Sequence, residues 1–154
     1  MTGSAGFLGK QIVNQLVQAV ANTEKITILR YQDCDLLVLK NCQRVANQHD
    51  IILHLAAHVG GIGSNREKPA ELYYDYLIMG TQLIHAAYEA EIEKFICVGI
   101  ICYYPKFTPV PFNEDNLWNG YPKETNVPYA FAKKALLVQL QFYRFKCAFD
   151  VICF

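Results

Sequence analysis

The sequence predicts an α/β fold in which a doubly wound parallel sheet is covered by helices. Segments with apolar residues at helical spacing alternate with short apolar runs, which are typical of strands buried in a parallel sheet. This alternation favours parallel strands joined by right-handed crossovers. The 154 residues are enough for one domain with its own core, and no repeat or linker indicates a second domain.

In the first half of the chain we expect two helices and two strands. The run KITILR predicts a short strand over 25–30, and a helical pattern covers 38–48. The apolar run DIILHLA predicts a buried strand over 50–56. Before them, a helix over 7–21 is predicted by five apolar residues at helical spacing: Ile12, Val13, Leu16, Val17 and Val20.

In the second half the alternation continues. The glycine-rich segment HVGGIGSN, residues 58–65, predicts a loop, and a long helix follows over 69–90. The run KFICVG predicts a buried strand over 94–99. A proline-rich loop then leads to a helix over 128–145 and a final strand over 150–154.

Composition and charge exclude several classes of function. Fourteen basic residues balance fourteen acidic ones and no Lys/Arg run forms a patch, so we expect binding neither to nucleic acid nor to an anionic membrane. No stretch reaches the roughly 18 apolar residues of a membrane span, and polar residues interrupt the N-terminal segment, which argues against a signal peptide. The six cysteines show no CxxC pairing. We therefore expect a cytoplasmic protein with reduced thiols.

His54 and His58 have the four-residue spacing of some metal ligands. They flank the end of a predicted strand, however, where that spacing does not place both side chains on one helical face. We predict no metal site.

The segment MTGSAGFLGK predicts a nucleotide-binding turn. Gly3, Gly6 and Gly9 lead directly into the first predicted helix, and such a turn lets backbone amides approach a pyrophosphate. The spacing alone is a weak signal, because glycines at a turn also serve chain reversal. Arg30, at the end of the strand predicted over 25–30, suits the 2′-phosphate of NADPH better than the ribose hydroxyl of NADH. A strand-end arginine that is only solvated is the alternative.

Tyr129 and Lys133 are four residues apart at the start of the last predicted helix, so their side chains share one face. A phenol titrates near about pH 10, and a neighbouring ammonium favours the phenolate. The pair would then approach the range of proton transfer at neutral pH. Because a YxxxK pattern also occurs by chance, its weight depends on the other motifs.

Five stretches of the sequence resemble one enzyme family: TGSAGFLG, HLAAHVGGIGSNR, CVGIICYYPKFTPVPF, LWNGYP and PYAFAKKALL. All are similar to the GDP-L-fucose synthases, which belong to the extended short-chain dehydrogenase/reductases. VGGIGSNR and YPKFTPVPF are far more specific than the glycine spacing. The resemblance covers essentially the whole chain and implies that 1–154 is a partial NAD(P)-binding Rossmann domain, lacking its first strand and the C-terminal substrate subdomain.

The resemblance also implies NADPH-dependent epimerisation and reduction of GDP-4-keto-6-deoxy-D-mannose to GDP-L-fucose. Tyr129 would protonate the C4 oxygen of the substrate, Lys133 would hold the cofactor ribose, and Cys102 would be the epimerisation base. The implied substrate-binding residues are Val59, Gly60 and Gly61. The implied cofactor-binding residues are Gly3, Gly6, Phe7, Leu8, Gly9, Arg30, Leu55, Ala56, Ala57, Tyr129 and Lys133.

The sequence departs from this family where its catalytic machinery is expected. Ile100 stands in place of a Ser or Thr hydroxyl that helps polarise the keto oxygen, and Ile101, the alternative register, lacks a hydroxyl too. Losing one such donor typically costs about 10²–10³-fold in turnover. Tyr76 stands in place of an asparagine that braces the active-site helix, and its ring cannot reproduce the amide. The chain also ends before the histidine that would partner Cys102.

The missing first strand leads to a further expectation. In the order 3-2-1-4-5-6 this strand is central, so the strands predicted over 25–30 and 50–56 would lack their common neighbour. Each unpaired buried backbone group costs on the order of 1–3 kcal/mol. We therefore expect a sheet that closes around the gap or a marginally stable chain, with catalysis impaired or absent.

A non-catalytic interaction protein is the alternative function. In the family that the sequence resembles, the helices matching 69–90 and 128–145 form a four-helix bundle with a second subunit. ELYYDYLIM and ALLVQLQFYRF supply apolar surface for such a homodimer, unless these faces only cover the sheet. A degenerating gene product without a function of its own is a third interpretation.

Overall fold

The computed structural model describes residues 1–19, 23–57, 63 and 67–154. Its helices and strands follow the predicted alternation. In chain order they are α1 (Phe7–Ala19), α2 (Leu39–Asn47), β1 (Ile51–His54), α3 (Pro69–Glu89), β2 (Lys94–Cys97), α4 (Val127–Cys147) and β3 (Val151–Cys153). Short 3₁₀ helices cover Thr23–Lys25, Ile101–Tyr103, Glu114–Trp118 and Glu124–Asn126. Among the described residues, no helix is long and apolar enough to cross a membrane.

The three strands form one parallel sheet in the order β1-β2-β3. Ile52 lies opposite Phe95, and Phe95 lies opposite Val151 in the next strand. All three side chains are buried, as expected for a parallel sheet covered by helices. The predicted α/β class with a parallel sheet is therefore confirmed.

Met1 and Thr2 occupy the place of a central strand beside β1. The Thr2 amide donates to the Leu53 carbonyl at 3.0 Å, and the Leu55 amide donates to the Thr2 carbonyl at 3.3 Å. On the other side, the Leu29 amide donates to the Met1 carbonyl at 3.0 Å. The expectation that both neighbouring backbones lack a partner is therefore wrong at these residues, because two residues already link them.

The strand predicted over 25–30 is not formed. Residues 23–25 are a 3₁₀ helix, and 26–30 have no regular structure. The physical reason is the length of the neighbour: Met1 offers hydrogen bonds only around Leu29, which is too little for a ladder. The strand predicted from the apolar pattern of KITILR is therefore wrong, although Leu29 does pair with Met1.

The other predicted elements are present with shifted ends. The strand predicted over 50–56 is shorter, since 55–57 leave the sheet after β1. The strand predicted over 94–99 likewise ends early, at Cys97. The end of the helix predicted over 7–21 and most of the loop predicted over 58–65 lie outside the described residues.

Helices α3 and α4 pack closely against each other beside the sheet. Gly80 of α3 allows this approach, because a Cβ at that position would overlap the side chain of Leu136. The core between these helices and the sheet includes Leu83, Phe95 and Leu140, each almost fully buried. This packing fixes the start of α4 relative to the ends of β1 and β2.

Candidate functional site

A cleft of about 690 Å³ lies at the carboxyl ends of the strands. Residues 55–57 enter it directly after β1, and 98–100 enter it directly after β2. The N-terminus of α1 and the start of α4 complete the wall. This is the usual ligand position in an open parallel sheet. Every residue predicted to bind the cofactor lines it: Gly3, Gly6, Phe7, Leu8, Gly9, Arg30, Leu55, Ala56, Ala57, Tyr129 and Lys133.

The turn before α1 requires glycine at two of its three positions. Gly3 has φ +68°, and a Cβ there would lie 2.5 Å from the Leu55 carbonyl carbon. A Cβ on Gly9 would overlap the Gly3 carbonyl oxygen. At Gly6 a Cβ would meet that same oxygen at 3.4 Å, an ordinary contact. The turn thus lies so close to the end of β1 that only backbone fits between them.

Side chains also hold this turn in place. The Thr2 hydroxyl is 2.9 Å from Nδ1 of His54 and accepts a hydrogen bond from the Ala56 amide at 3.3 Å. The Ser4 hydroxyl donates to the Leu29 carbonyl at 3.1 Å. His54 is 2% exposed, and burial, with the Lys133 charge, lowers its pKa to about 3. His54 is therefore a neutral support of the turn.

Arg30 lies at the rim of the cleft with an exposed side chain. Its carbonyl accepts hydrogen bonds from the Asp33 and Cys34 amides, which anchors the backbone at this point. Tyr31, beside it, is 71% exposed and also lines the cleft. This position is compatible both with a phosphate contact and with a solvated arginine.

Tyr129 and Lys133 lie one turn apart in α4 and both line the cleft, as predicted. The Lys133 ammonium is buried and donates to the Val98 carbonyl at 3.3 Å. Burial lowers the pKa of Lys133, while the Cys97 and Cys153 thiols oppose that shift. The lysine is thus held at the end of β2.

The acidity expected of Tyr129 is not found. Burial, and then the neighbouring Cys102 thiol, raises the pKa of the Tyr129 phenol above its usual value. The prediction that the Lys133 ammonium would shift it towards the phenolate is wrong for this structure, in which that ammonium donates to the Val98 carbonyl. The phenol is consequently a proton donor at neutral pH.

Tyr76 packs directly against the Tyr129 ring. The two ring centroids are 4.6 Å apart, and Tyr76 is 4% exposed. Burial, followed by Tyr129 and Asp75, raises the pKa of the Tyr76 phenol to about 12. The buried Tyr76 ring therefore supports the half-buried Tyr129 side chain from α3.

Ile100 lines the cleft, whereas Ile101 is 67% exposed. The apolar side chain at the cleft is therefore that of Ile100. Cys102, in the 3₁₀ helix that follows, is half-buried, and the Asn126 side-chain amide donates to its Sγ at 3.5 Å. Its influence on the pKa of Tyr129 places Cys102 close to that phenol. The predicted substrate residues Val59, Gly60 and Gly61 lie outside the described residues.

Comparison with known proteins identifies the family. The model of the NAD dependent epimerase/dehydratase family matches residues 1–154. The chain belongs to this family. The resemblance found in the sequence motifs is thereby confirmed at the level of the family.

Curated relatives within the epimerase/dehydratase family include several GDP-L-fucose synthases. The protein of Sinorhizobium fredii is 32% identical over 149 residues, which cover 94% of this chain and 46% of the relative. GDP-L-fucose synthase 1 of Arabidopsis thaliana is 31% identical over 154 residues, covering 99% and 47%. The chain thus spans about half the length of the curated relatives it matches.

Solved structures of related proteins share the fold. The GDP-L-fucose synthetase of Naegleria fowleri bound to NADP has a TM-score of 0.82 at 24% identity, covering 99% of this chain and 47% of that chain. A GDP-mannoheptose C4 reductase from Campylobacter jejuni with NADP bound has a TM-score of 0.91 at 19% identity, covering 99% and 48%. The epimerase/dehydratase chain therefore has a Rossmann-type fold.

No sequence motif indicated the side chains that support the glycine turn in this epimerase/dehydratase chain. Thr2 and His54 are 52 positions apart, so no local pattern links them. Ser4 carried no signal either, because a serine between glycines is common in turns. His54 within a buried strand was the one available clue, since a histidine there needs a polar partner.

Proposed function

We propose that this chain binds NADP(H) and forms the cofactor-binding part of an epimerase-reductase similar to the GDP-L-fucose synthases. One observation carries the proposal: the residues predicted to bind the cofactor line one cleft, and the backbone beside it leaves no room for a Cβ at Gly3 or Gly9. The relatives named GDP-L-fucose synthase support the same substrate class.

The turn fits a dinucleotide diphosphate. Gly3 lies tightly against Leu55, directly after β1, and Gly9 packs against the Gly3 carbonyl. The N-terminus of α1 lines the cleft. Backbone amides and the helix dipole favour a pyrophosphate at such a position. Arg30, exposed at the rim, would receive the 2′-phosphate of NADP(H).

Bound NADPH would supply a hydride to a 4-keto sugar. Tyr129 would donate its phenolic proton to the keto oxygen, and its raised pKa keeps that proton in place at neutral pH. Lys133, buried below the cleft, would hold the cofactor ribose. Cys102, close to Tyr129, would act as the base in an epimerisation at neighbouring carbons.

We propose that this machinery turns over slowly. Ile100 places an apolar side chain where a hydroxyl would help polarise the keto oxygen, and such a loss costs about 10²–10³-fold. Tyr76 fills the space beside Tyr129 with a ring. Cofactor binding does not depend on either change, so the chain would bind NADPH well and reduce GDP-4-keto-6-deoxy-D-mannose poorly.

The test is a titration of the purified chain with NADPH, in which nicotinamide fluorescence and melting temperature are followed together. We expect saturable binding and a rise in melting temperature, because a ligand that binds only the folded state stabilises it. NADH, titrated in parallel, should bind more weakly. A folded chain that shows no saturable binding of NADPH would refute the proposal.

Dimerisation through α3 and α4 is the second candidate function, and a specific surface favours it. Phe131, Phe142 and Phe145 share one helical face of α4 and are 37%, 67% and 90% exposed. A second copy would cover these exposed rings.

Sedimentation of the chain at several concentrations tests this second candidate separately from cofactor binding. We expect a dimer that the double change Phe142→Ser and Phe145→Ser converts to a monomer. Phe107→Ser, which changes an 88% exposed ring outside α3 and α4, is the matched control and should leave the dimer intact. A monomer at every concentration would rule out the homodimer.

A further inference from the structure

Two cysteines face each other across neighbouring strands beneath the cleft. In the parallel register of β2 and β3, Cys97 lies opposite Cys153. Their Sγ atoms are 3.4 Å apart, with the Cys97 thiol donating to the Cys153 sulfur. Both cysteines are free thiols in this structure. Residues opposite each other in a parallel pair project to the same face, so the two sulfurs share one environment.

The backbone holds this pair in place. The Phe95 amide donates to the Asp150 carbonyl at 2.9 Å, and the Phe154 amide donates to the Cys97 carbonyl at 3.2 Å. Neighbouring strands lie about 4.7–4.9 Å apart, which is inside the range of about 4.4–6.8 Å between the Cα atoms of disulfides. To form a disulfide, the two sulfurs would move from 3.4 Å to about 2.05 Å apart.

The surroundings make the two thiols unequal. The Cys97 hydrogen bond, the Lys133 charge and the Tyr103 hydroxyl lower the pKa of the Cys153 thiol, although burial opposes them. The same hydrogen bond and burial raise the pKa of Cys97. Cys153 is therefore the thiolate of the pair, and Cys97 keeps its proton.

We propose that Cys97 and Cys153 form a reversible disulfide when the folded protein meets hydrogen peroxide. The Cys153 thiolate attacks one peroxide oxygen, the O–O bond breaks, and hydroxide leaves while Cys153 becomes a sulfenic acid. The sulfur of Cys97 then attacks the sulfenic sulfur, the S–S bond forms, and the second oxygen leaves as hydroxide. The proton released by Cys97 converts one hydroxide to water, and a solvent proton, equal to the one Cys153 lost on forming its thiolate, converts the other. The pair loses two electrons, and the peroxide gains them.

Cys42, another buried cysteine, has a different hydrogen-bond partner. Burial, with the charges of Cys34 and Asp35, raises the pKa of Cys42 to about 12, and the Cys42 thiol donates to the Leu36 carbonyl at 3.3 Å. Cys42 thus stays protonated at neutral pH, so it does not supply the thiolate that attacks the peroxide first. We expect peroxide to select the cross-strand pair.

Peptide mapping of the full chain tests the inference. The folded protein is treated with one equivalent of hydrogen peroxide, unfolded, alkylated and digested. We expect two of the six thiols to escape alkylation and the peptides carrying Cys97 and Cys153 to be joined. Dithiothreitol should restore all thiols. Full alkylation after treatment, or a link between other cysteines, would overturn the proposal.

Two single variants test the order of attack. In Cys97→Ser, dimedone should trap a sulfenic acid on Cys153, because the resolving thiol is gone. In Cys153→Ser, we expect no adduct on Cys97, and an adduct there would overturn the assignment of the attacking thiol. Cys147→Ser, which changes a half-buried thiol outside the pair, is the matched control and should still form the link. The mapping of the unmodified sequence does not depend on the folding of any variant.

Discussion

The two ends of the cleft are built from different parts of the chain. At the end formed by 2–9 and 55–57, called here the backbone end, two stretches of backbone lie in direct contact. A single Cβ on Gly3 would disrupt that contact. At the other end, formed by 98–102 and 129–133 and called here the side-chain end, side chains line the cleft. Ile100 lines the cleft and Tyr76 packs against Tyr129, in positions where the resemblance predicts a hydroxyl and an amide. Under the proposed function, the first end would hold the dinucleotide through its backbone, whereas the second end would lack two of the polar groups that turnover needs.

Gly3→Ala should have the largest effect at the backbone end. The φ of +68° is strained for any residue with a Cβ, and the new methyl group would lie 2.5 Å from the Leu55 carbonyl carbon. Strain and overpacking together should lower the free energy of unfolding by about 2–6 kcal/mol and abolish saturable NADPH binding. Urea unfolding and NADPH fluorescence measure the two effects.

Gly6→Ala is the matched control for this change. Its Cβ would meet the Gly3 carbonyl oxygen at 3.4 Å, so we expect a loss below about 1 kcal/mol and retained binding. Equal effects of the two alanines would show that the tight contact at Gly3 is not what holds the cleft together.

Ile100→Thr should have the next largest effect, at the side-chain end. The new hydroxyl would lie in the cleft that Tyr129 also lines, where it could donate to a keto oxygen. We expect NADPH-dependent reduction of GDP-4-keto-6-deoxy-D-mannose to rise by about 10²–10³-fold, with little change in NADPH affinity. Steady-state rates with the sugar nucleotide measure the gain.

Ile100→Val separates the hydroxyl from the smaller volume. Valine has the shape of threonine without its donor, so its turnover should stay at the original level. If valine and threonine raise the rate equally, relief of crowding rather than hydrogen bonding limits this end of the cleft.

Low pH should destabilise the folded chain through His54, the buried histidine that supports the backbone end of the cleft. The pKa of His54 is about 3 in the folded chain and near 6.5 when exposed, so the unfolded state binds one more proton between these values. His54 therefore has no effect on the pH dependence of stability above about pH 6.5. Below that pH, its protonation in the unfolded state lowers the free energy of unfolding by about 1.4 kcal/mol per pH unit. At pH 5 the loss should be about 2 kcal/mol.

Urea unfolding between pH 7.5 and pH 5 measures this slope. His54→Asn should be less stable at pH 7.5, because the neutral ring supports Thr2 and the turn. Its stability should nevertheless change less between the two pH values than that of the original chain. A variant with an unchanged slope would assign the acid sensitivity to other groups.

Features that depend on residues close together in the sequence were predicted, whereas features that depend on distant residues were not. The glycine turn, the Tyr129–Lys133 spacing and the alternation of helices and strands are local patterns, and all three are present in the structure. The contact of Thr2 with His54 and the pairing of Met1 with Leu29 join distant residues, so no local pattern could show them.

The pKa of Tyr129 was mispredicted for a related reason. Sequence spacing places Lys133 near it but says nothing about burial, and burial is the largest influence on the phenol. The failed strand over 25–30 depended in the same way on how many partner residues lay beside it. Spacing predicts which groups meet, whereas tertiary packing decides their energies.

Arg30→Gln should have the smallest effect, because this side chain is exposed at the rim of the backbone end. If Arg30 contacts the 2′-phosphate, its loss should weaken NADPH binding by about 5–10-fold, close to 1 kcal/mol, and leave NADH unchanged. The difference should shrink in high salt, since exposed charges are screened. Lys25→Gln, which removes an exposed cation outside the cleft lining, is the control and should change neither affinity. If Arg30→Gln weakens the binding of NADPH and NADH equally, or weakens neither, Arg30 is only a solvated arginine. Selection between the two cofactors would then depend on other residues of the cleft.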